Sequence, residues 1–93
     1  MINPLGKNII LKGTTKTSKI ASDEADTVSV DSLVVFKKGP DVIKEIGINE
    51  DVCILRPLLQ QTERLVIPDI DAEPVLGEFY LTVLESEIIG IYE

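Results

Sequence analysis

Short apolar segments separated by turn-forming residues recur along the whole chain. Six of them have the Ile, Val, Leu and Phe content of strands: residues 7–12, 32–36, 51–55, 65–67, 79–84 and 88–92. Proline or glycine-proline stops three of these segments, and residues 41–48 suit no more than one helical turn. The pattern predicts an all-β fold, either a small β-barrel or a sandwich.

The longest interruption of the pattern runs from Gly13 to Val30. It is rich in Thr, Ser, Lys and Asp and holds only single apolar residues. Loops longer than about 12–15 residues in a compact domain are usually functional or disordered. We therefore predict a long mobile loop at residues 13–30, with the alternation of residues 27–31 starting the next strand.

Composition narrows the class of protein. A chain of 93 residues is predicted to form a single domain, residues 1–93. The net charge is −7 and the lysines are scattered, so we expect neither nucleic-acid binding nor attachment to a membrane. No apolar run approaches about 20 residues, and the first residues lack the apolar centre of a signal peptide. The single cysteine, Cys53, cannot form an internal disulfide, which favours a reducing, cytoplasmic location.

Residues that carry catalysis or bind metals are scarce. The chain has no histidine, one cysteine and six dispersed glycines, which excludes the common triads, thiolate zinc clusters and phosphate loops. Asp69, Asp71 and Glu73 alternate as in a calcium loop, but Pro74 stands where the turn glycine is needed. We predict an acidic turn there, no cofactor, no metal and no enzymatic activity.

The apolar segments at the two ends raise a question of pairing. An open apolar edge strand promotes aggregation. Residues 9–11 and 88–91 could pair inside one barrel or with a neighbouring subunit, and the residues alone favour neither arrangement.

The same two ends resemble those of a known family. Pro4-Leu5-Gly6-Lys7-Asn8-Ile9-Ile10-Leu11-Lys12 and the last residues, from Gly77-Glu78-Phe79 through Glu85-Ser86-Glu87-Ile88 to Glu93, resemble the ends of GroES-type co-chaperonins, the lids of chaperonin rings. The resemblance implies a GroES-like β-barrel and a sevenfold ring, in which residues 7–12 pair with residues 86–92 of the neighbour. The implied interface residues are Ile9, Ile10, Leu11, Ile88, Ile89 and Ile91.

In that family the mobile loop binds a GroEL-type chaperonin through a short apolar segment. The corresponding position here is Lys19-Ile20-Ala21, where Ile20 is the only large apolar residue between Leu11 and Val28. The glycine that precedes the family's segment is absent, and only eight residues separate Val42 from Asp51, too few for the bacterial roof hairpin. The chain is in this respect more similar to phage-encoded members, which act in the host cytoplasm. The expected function is that of a co-chaperonin lid; the alternative is a structural or assembly ring that binds no chaperonin.

Overall fold

A computed structural model describes residues 2–19 and 26–92, and the side chains of residues 2–15 and 30–92. Its strands are β1 (Asn8–Lys19), β2 (Asp26–Lys38), β3 (Val52–Ile54), β4 (Glu78–Leu84) and β5 (Ile88–Ile91). Short 3-10 turns cover Arg56–Gln60, Thr62–Arg64 and Glu85–Glu87, and the described residues contain no α-helix. The all-β prediction is confirmed. No helix in this part of the chain is long and apolar enough to cross a membrane.

The strands form two small sheets, which are connected by one isolated β-bridge. One sheet has the strand order β2-β1-β4, and the other pairs β3 with β5; all pairs are antiparallel. A bridge between Val34 and Asp51 connects the two sheets, and Leu65 bridges Leu81 on the outer edge of β4. The strand predicted at residues 65–67 is therefore reduced to one bridging residue, because Pro68 lacks the N–H that a longer ladder needs.

The hydrophobic core lies between the sheets and draws on every strand. Its buried members are Ile9, Leu11, Val35, Ile46, Val52, Ile54, Leu58, Leu81, Val83 and Ile88. Residues 41–48 form no helix, but this segment contributes Ile46 to the core. Ile10 is also buried, and alternation along β1 places it on the opposite face from Ile9 and Leu11.

The structure places Ile9, Ile10 and Leu11, which were expected at a subunit interface, inside the chain, and their interface role remains a prediction. All three side chains are buried within the single chain, and β1 is paired with β2 on one edge and with β4 on the other. At residues 9–14 both edges of this strand are therefore paired within the chain. The sequence marked these residues as apolar and strand-forming, but it could not show that the chain covers them itself.

The predicted loop at residues 13–30 needs correction at its two ends, whereas residues 20–25 lie outside the described residues. Residues 13–19 continue β1 and residues 26–30 begin β2, with paired positions from Gly13–Leu33 to Lys19–Asp26. Threonine has a high strand propensity, and backbone pairing in a hairpin does not require an apolar face. The strand start predicted at residues 27–31 is confirmed, whereas the mobility of the segment remains a prediction.

Candidate functional site

The long hairpin of β1 and β2 carries the segment expected to bind a chaperonin. β4 pairs with β1 only from Asn8 to Thr14, so the hairpin continues beyond the three-stranded sheet as a two-stranded ribbon. Lys19 is the last residue of β1 and lies opposite Asp26. Ile20 and Ala21 lie outside the residues that the structure describes.

Polar contacts fix the hairpin where it leaves the sheet. The hydroxyls of Thr14 and Ser32 are hydrogen-bonded across the strands at 2.7 Å. Thr15 donates its backbone N–H, at 2.7 Å, and its hydroxyl, at 3.2 Å, to the carbonyl of Gly77. Gly77 has a φ of +86°, a conformation that favours glycine. The ribbon therefore projects from a defined base beside the start of β4.

The last strand, β5, presents the second predicted surface. Ile88 belongs to the core, whereas the side chains of Ile89 and Ile91 are 59% and 39% exposed. Tyr92 donates its N–H to Asp51 beside β3 at 2.9 Å. Because backbone groups alternate in direction along a strand, those of Ile91 point away from β3, whereas at Ile89 the register of the two strands shifts. Among the described residues no strand pairs with that outer edge.

Glu85 ties the turn before β5 to two other segments. Its side chain is 7% exposed, and its carboxylate accepts the N–H groups of Ile43 and Lys44 at 2.9 and 3.2 Å and lies 3.9 Å from the Lys7 ammonium. Its own N–H donates to the Lys7 carbonyl at 3.1 Å. Burial alone would raise the pKa of Glu85, but these two N–H donors and the charges of Lys7 and Lys44 outweigh it and lower the pKa.

Glu87 also holds the turn before β5 in place, through hydrogen bonds to Leu84 and Arg64. It accepts the N–H of Leu84 at 2.8 Å and forms a bidentate pair with Arg64, both contacts 2.8 Å long. The Leu84 N–H lowers the pKa of Glu87 most, and the Arg64 guanidinium adds to that effect against the opposing influence of burial. The Glu85-Ser86-Glu87 motif therefore has a structural role in this chain, which positions β5.

Other residues singled out in the sequence do not assemble into a reactive centre. Cys53 is half-buried on β3 instead of fully buried in the core. The Asp69 side chain accepts the N–H of Asp71 at 3.0 Å, as in a simple turn. Among the side chains of residues 2–15 and 30–92, no three Cys, Asp or Glu lie close enough together to hold a metal ion.

Sequence reasoning missed one further surface, an apolar groove of about 670 Å³. One wall is the segment between Leu65 and Val75; the other is formed by Phe36 of β2 and by Phe79 and Tyr80 of β4. The rings of Phe36 and Tyr80 meet edge to face, with centroids 5.0 Å apart. The available signal was the number of large apolar residues between the strands, in a segment that proline and acidic residues interrupt: Leu65, Val66, Ile67, Ile70, Val75 and Leu76.

The three candidate surfaces, which are the hairpin end, the β5 edge and the apolar groove, are formed by different residues. The six residues that the resemblance implies for the subunit interface are likewise divided between two strands: three lie in β1 and three in β5. Comparison of the chain with protein-family models, with curated proteins and with solved structures gave no match.

Proposed function

We propose that this chain is a co-chaperonin, a subunit of a ring-shaped lid that caps a GroEL-type chaperonin and assists ATP-dependent protein folding. The observation that carries the proposal is the hairpin of β1 and β2, which extends past the sheet and brings Lys19 to its outer end. The resemblance of both chain ends to GroES-type proteins supports the same function.

The length of the hairpin suits a lid that reaches its partner with a single segment. Five residue pairs, from Thr15–Val30 to Lys19–Asp26, lie beyond the last residue of β1 that β4 covers. At roughly 3.3 Å per residue, this ribbon holds Lys19 about 15 Å from the sheet. A binding segment at that distance can contact a partner without bringing the barrel itself into contact.

The β5 strand supports the ring part of the proposal. Its outer edge has no partner within the described chain, and Ile89 and Ile91 leave apolar surface there. Pairing with a neighbouring subunit would cover both the backbone groups and the side chains. In the proposed ring, β5 supplies one half of the contact between neighbouring subunits. The segment before β1, where the exposed Leu5 lies, is the proposed other half.

A single loop of this kind is expected to bind weakly. Burying one isoleucine contributes only about 2–3 kcal/mol, which by itself corresponds to an affinity weaker than millimolar. Several copies on one ring raise the effective concentration and therefore the overall affinity. Weak single contacts on a symmetric ring suit a lid that must bind and release.

The proposal is tested by capture of a purified GroEL-type chaperonin with and without ATP. Wild-type protein is expected to bind in the presence of ATP. Ile20→Asp is expected to abolish binding, because a carboxylate is costly to bury against an apolar surface of the chaperonin. The matched control is Ile43→Asp, since Ile43 is 81% exposed and lies on a different segment. The control should bind as the wild type does.

The outcomes separate the two candidate functions. Binding that survives Ile20→Asp would move the anchor away from residues 19–21. A wild-type protein that forms a ring but binds no chaperonin under any nucleotide condition would favour the structural or assembly ring.

A further inference from the structure

The apolar groove lies beside β4, and both faces of the three-stranded sheet contribute to its wall: Phe79 also packs against the main core, whereas Tyr80 lies on the other face. Tyr80 is opposite Lys12 in the register of β1 and β4, which places its side chain on the face that carries Ile10. Across the groove, Ile67 and Ile70 are 73% and 87% exposed. Exposed isoleucines scattered singly need no explanation, but a concave apolar surface with aromatic residues is typical of a binding site.

The charges that line the groove have one sign. Asp69, Glu73 and Glu78 line it, and no Lys or Arg does. Glu78 is paired with Lys12 at 3.3 Å, whereas no cation within the described residues pairs with Asp69 or Glu73. A partner that fills the apolar groove is therefore favoured if it carries positive charge beside its apolar side chains.

The groove lies beside β4, which is paired with β1 on its inner edge and bridged by Leu65 on its outer edge. The Val66 N–H donates to the Tyr80 carbonyl at 3.0 Å, and the Glu78 N–H donates to the Val75 carbonyl at 3.1 Å, so these backbone groups are already bonded. Side-chain contacts must therefore hold an occupant. An extended segment suits such a groove because its alternate side chains lie on one face.

We propose that the apolar groove binds an extended polypeptide segment in which apolar residues are flanked by Lys or Arg. The apolar side chains contact Phe36, Tyr80 and Ile67, and the basic flanks lie next to Asp69 and Glu73. The site is separate from the hairpin end and from the β5 edge. It therefore adds a second binding surface, independent of the chaperonin contact.

The test uses the full chain and a short fluorescein-labelled peptide with a Val, Leu and Phe centre and lysines at both ends. The external label is needed because the chain has no tryptophan. Fluorescence anisotropy should show saturable binding that weakens with salt, because salt screens the flanking charges. The same centre with glutamates at both ends should bind about tenfold more weakly or not at all.

Matched variants locate the site. Ile67→Ser and Ile70→Ser are each expected to weaken binding about tenfold, because each removes apolar contact area. Ile43→Ser, at an equally exposed position outside the groove, should leave binding unchanged. Glu73→Lys should weaken binding of the lysine peptide and strengthen binding of the glutamate peptide.

Equal binding of both peptides, or unchanged binding by both groove variants, would overturn the proposal. The proposal would also be overturned if the wild type bound no peptide but self-associated in light scattering, and if Ile67→Ser and Ile70→Ser abolished that self-association. The occupant of the groove would then be a second copy of the chain. No chaperonin is present in the peptide-binding assay, so a negative result there leaves the co-chaperonin proposal intact. Equally, failure to capture a chaperonin leaves the peptide-binding proposal intact.

Discussion

Glu85 is the only charged side chain that the fold buries in the part of the chain described by the structure. A buried carboxylate is tolerated only when its oxygens have partners. Here the partners are the N–H groups of Ile43 and Lys44 and the ammonium of Lys7, which come from two segments distant in sequence. One side chain therefore holds the loop after β2 and the start of β1 against the turn before β5.

The lowered pKa of Glu85 leads to a prediction about acid stability. A carboxyl group whose pKa is lower in the folded state stabilises the fold above its unfolded-state pKa, and that stabilisation is lost as the pH falls through the folded-state pKa. The urea midpoint of the wild type should therefore fall once the pH drops below about 4.5, the ordinary value. Glu85→Gln should be less stable at neutral pH and should show a flatter acid dependence. Glu45→Gln, at an exposed position, is the control; if it flattened the profile equally, Glu85 would not be the source.

Gly13 offers a second test at the same scale. The ring of Phe79 lies so close to Gly13 that a Cβ atom added there would overlap it. Gly13→Ala should therefore reduce the free energy of unfolding by about 1–3 kcal/mol, the usual cost of overpacking. Gly90→Ala is the matched control, because a Cβ at Gly90 meets no atom within 4 Å. Urea denaturation compares the two; equal effects would contradict the close contact.

Among the elements, the β1–β2 hairpin combines two kinds of strand pairing. Its inner part belongs to a three-stranded sheet over the core, whereas its outer part is a ribbon of two strands. A two-stranded ribbon without a third strand or a packed face is marginally stable in water. The two parts are therefore expected to differ in local stability even though they form one continuous hairpin.

Amide hydrogen exchange measures that difference. We expect fast exchange at residues 16–19 and 26–29, and slow exchange at residues 33–36 and 79–84, because local opening requires less free energy where few apolar contacts are lost. Chaperonin binding should then slow exchange in the outer ribbon. Uniform protection along the hairpin of the free protein would contradict the expectation.

At the scale of the whole molecule, the edge of β5 determines how copies could associate. In a closed ring, two different surfaces of each subunit must meet. Residues 9–14 of β1 are paired on both edges, whereas the outer edge of β5 has no partner among the described residues. The net charge of −7 opposes association without preventing a specific apolar contact.

Ile89→Asp tests this arrangement. Native mass spectrometry should show a ring, expected to be sevenfold, for the wild type and a monomer for the variant, because the new carboxylate would be buried in the contact. The variant should keep its fold, since substitution at an exposed position usually changes stability by no more than about 0.5 kcal/mol. Ile43→Asp should keep the ring. A wild type that is monomeric at micromolar concentration would rule out the ring, and an intact ring of Ile89→Asp would exclude β5 from its interface.

The sequence by itself determined the all-β class and most strand positions. Residues 32–36, 79–84 and 88–91 are in strands as predicted, and Glu85–Glu87 turns the chain between the last two. These features depend on local properties: β-branched side chains favour extended backbone, and proline or glycine ends a strand. Such preferences act over a few residues and can therefore be predicted from the order of residues alone.

The tertiary structure decided which strands pair and which surfaces remain open. Ile9 and Leu11 are as apolar as Ile89 and Ile91, yet only the first two are covered within the chain. The threonine-rich extension of β1 is a strand because β2 provides hydrogen-bond partners, and the apolar groove exists because residues 65–75 fold back over β4. Strand partners and concave surfaces depend on contacts between residues far apart in sequence, and local composition does not specify those contacts.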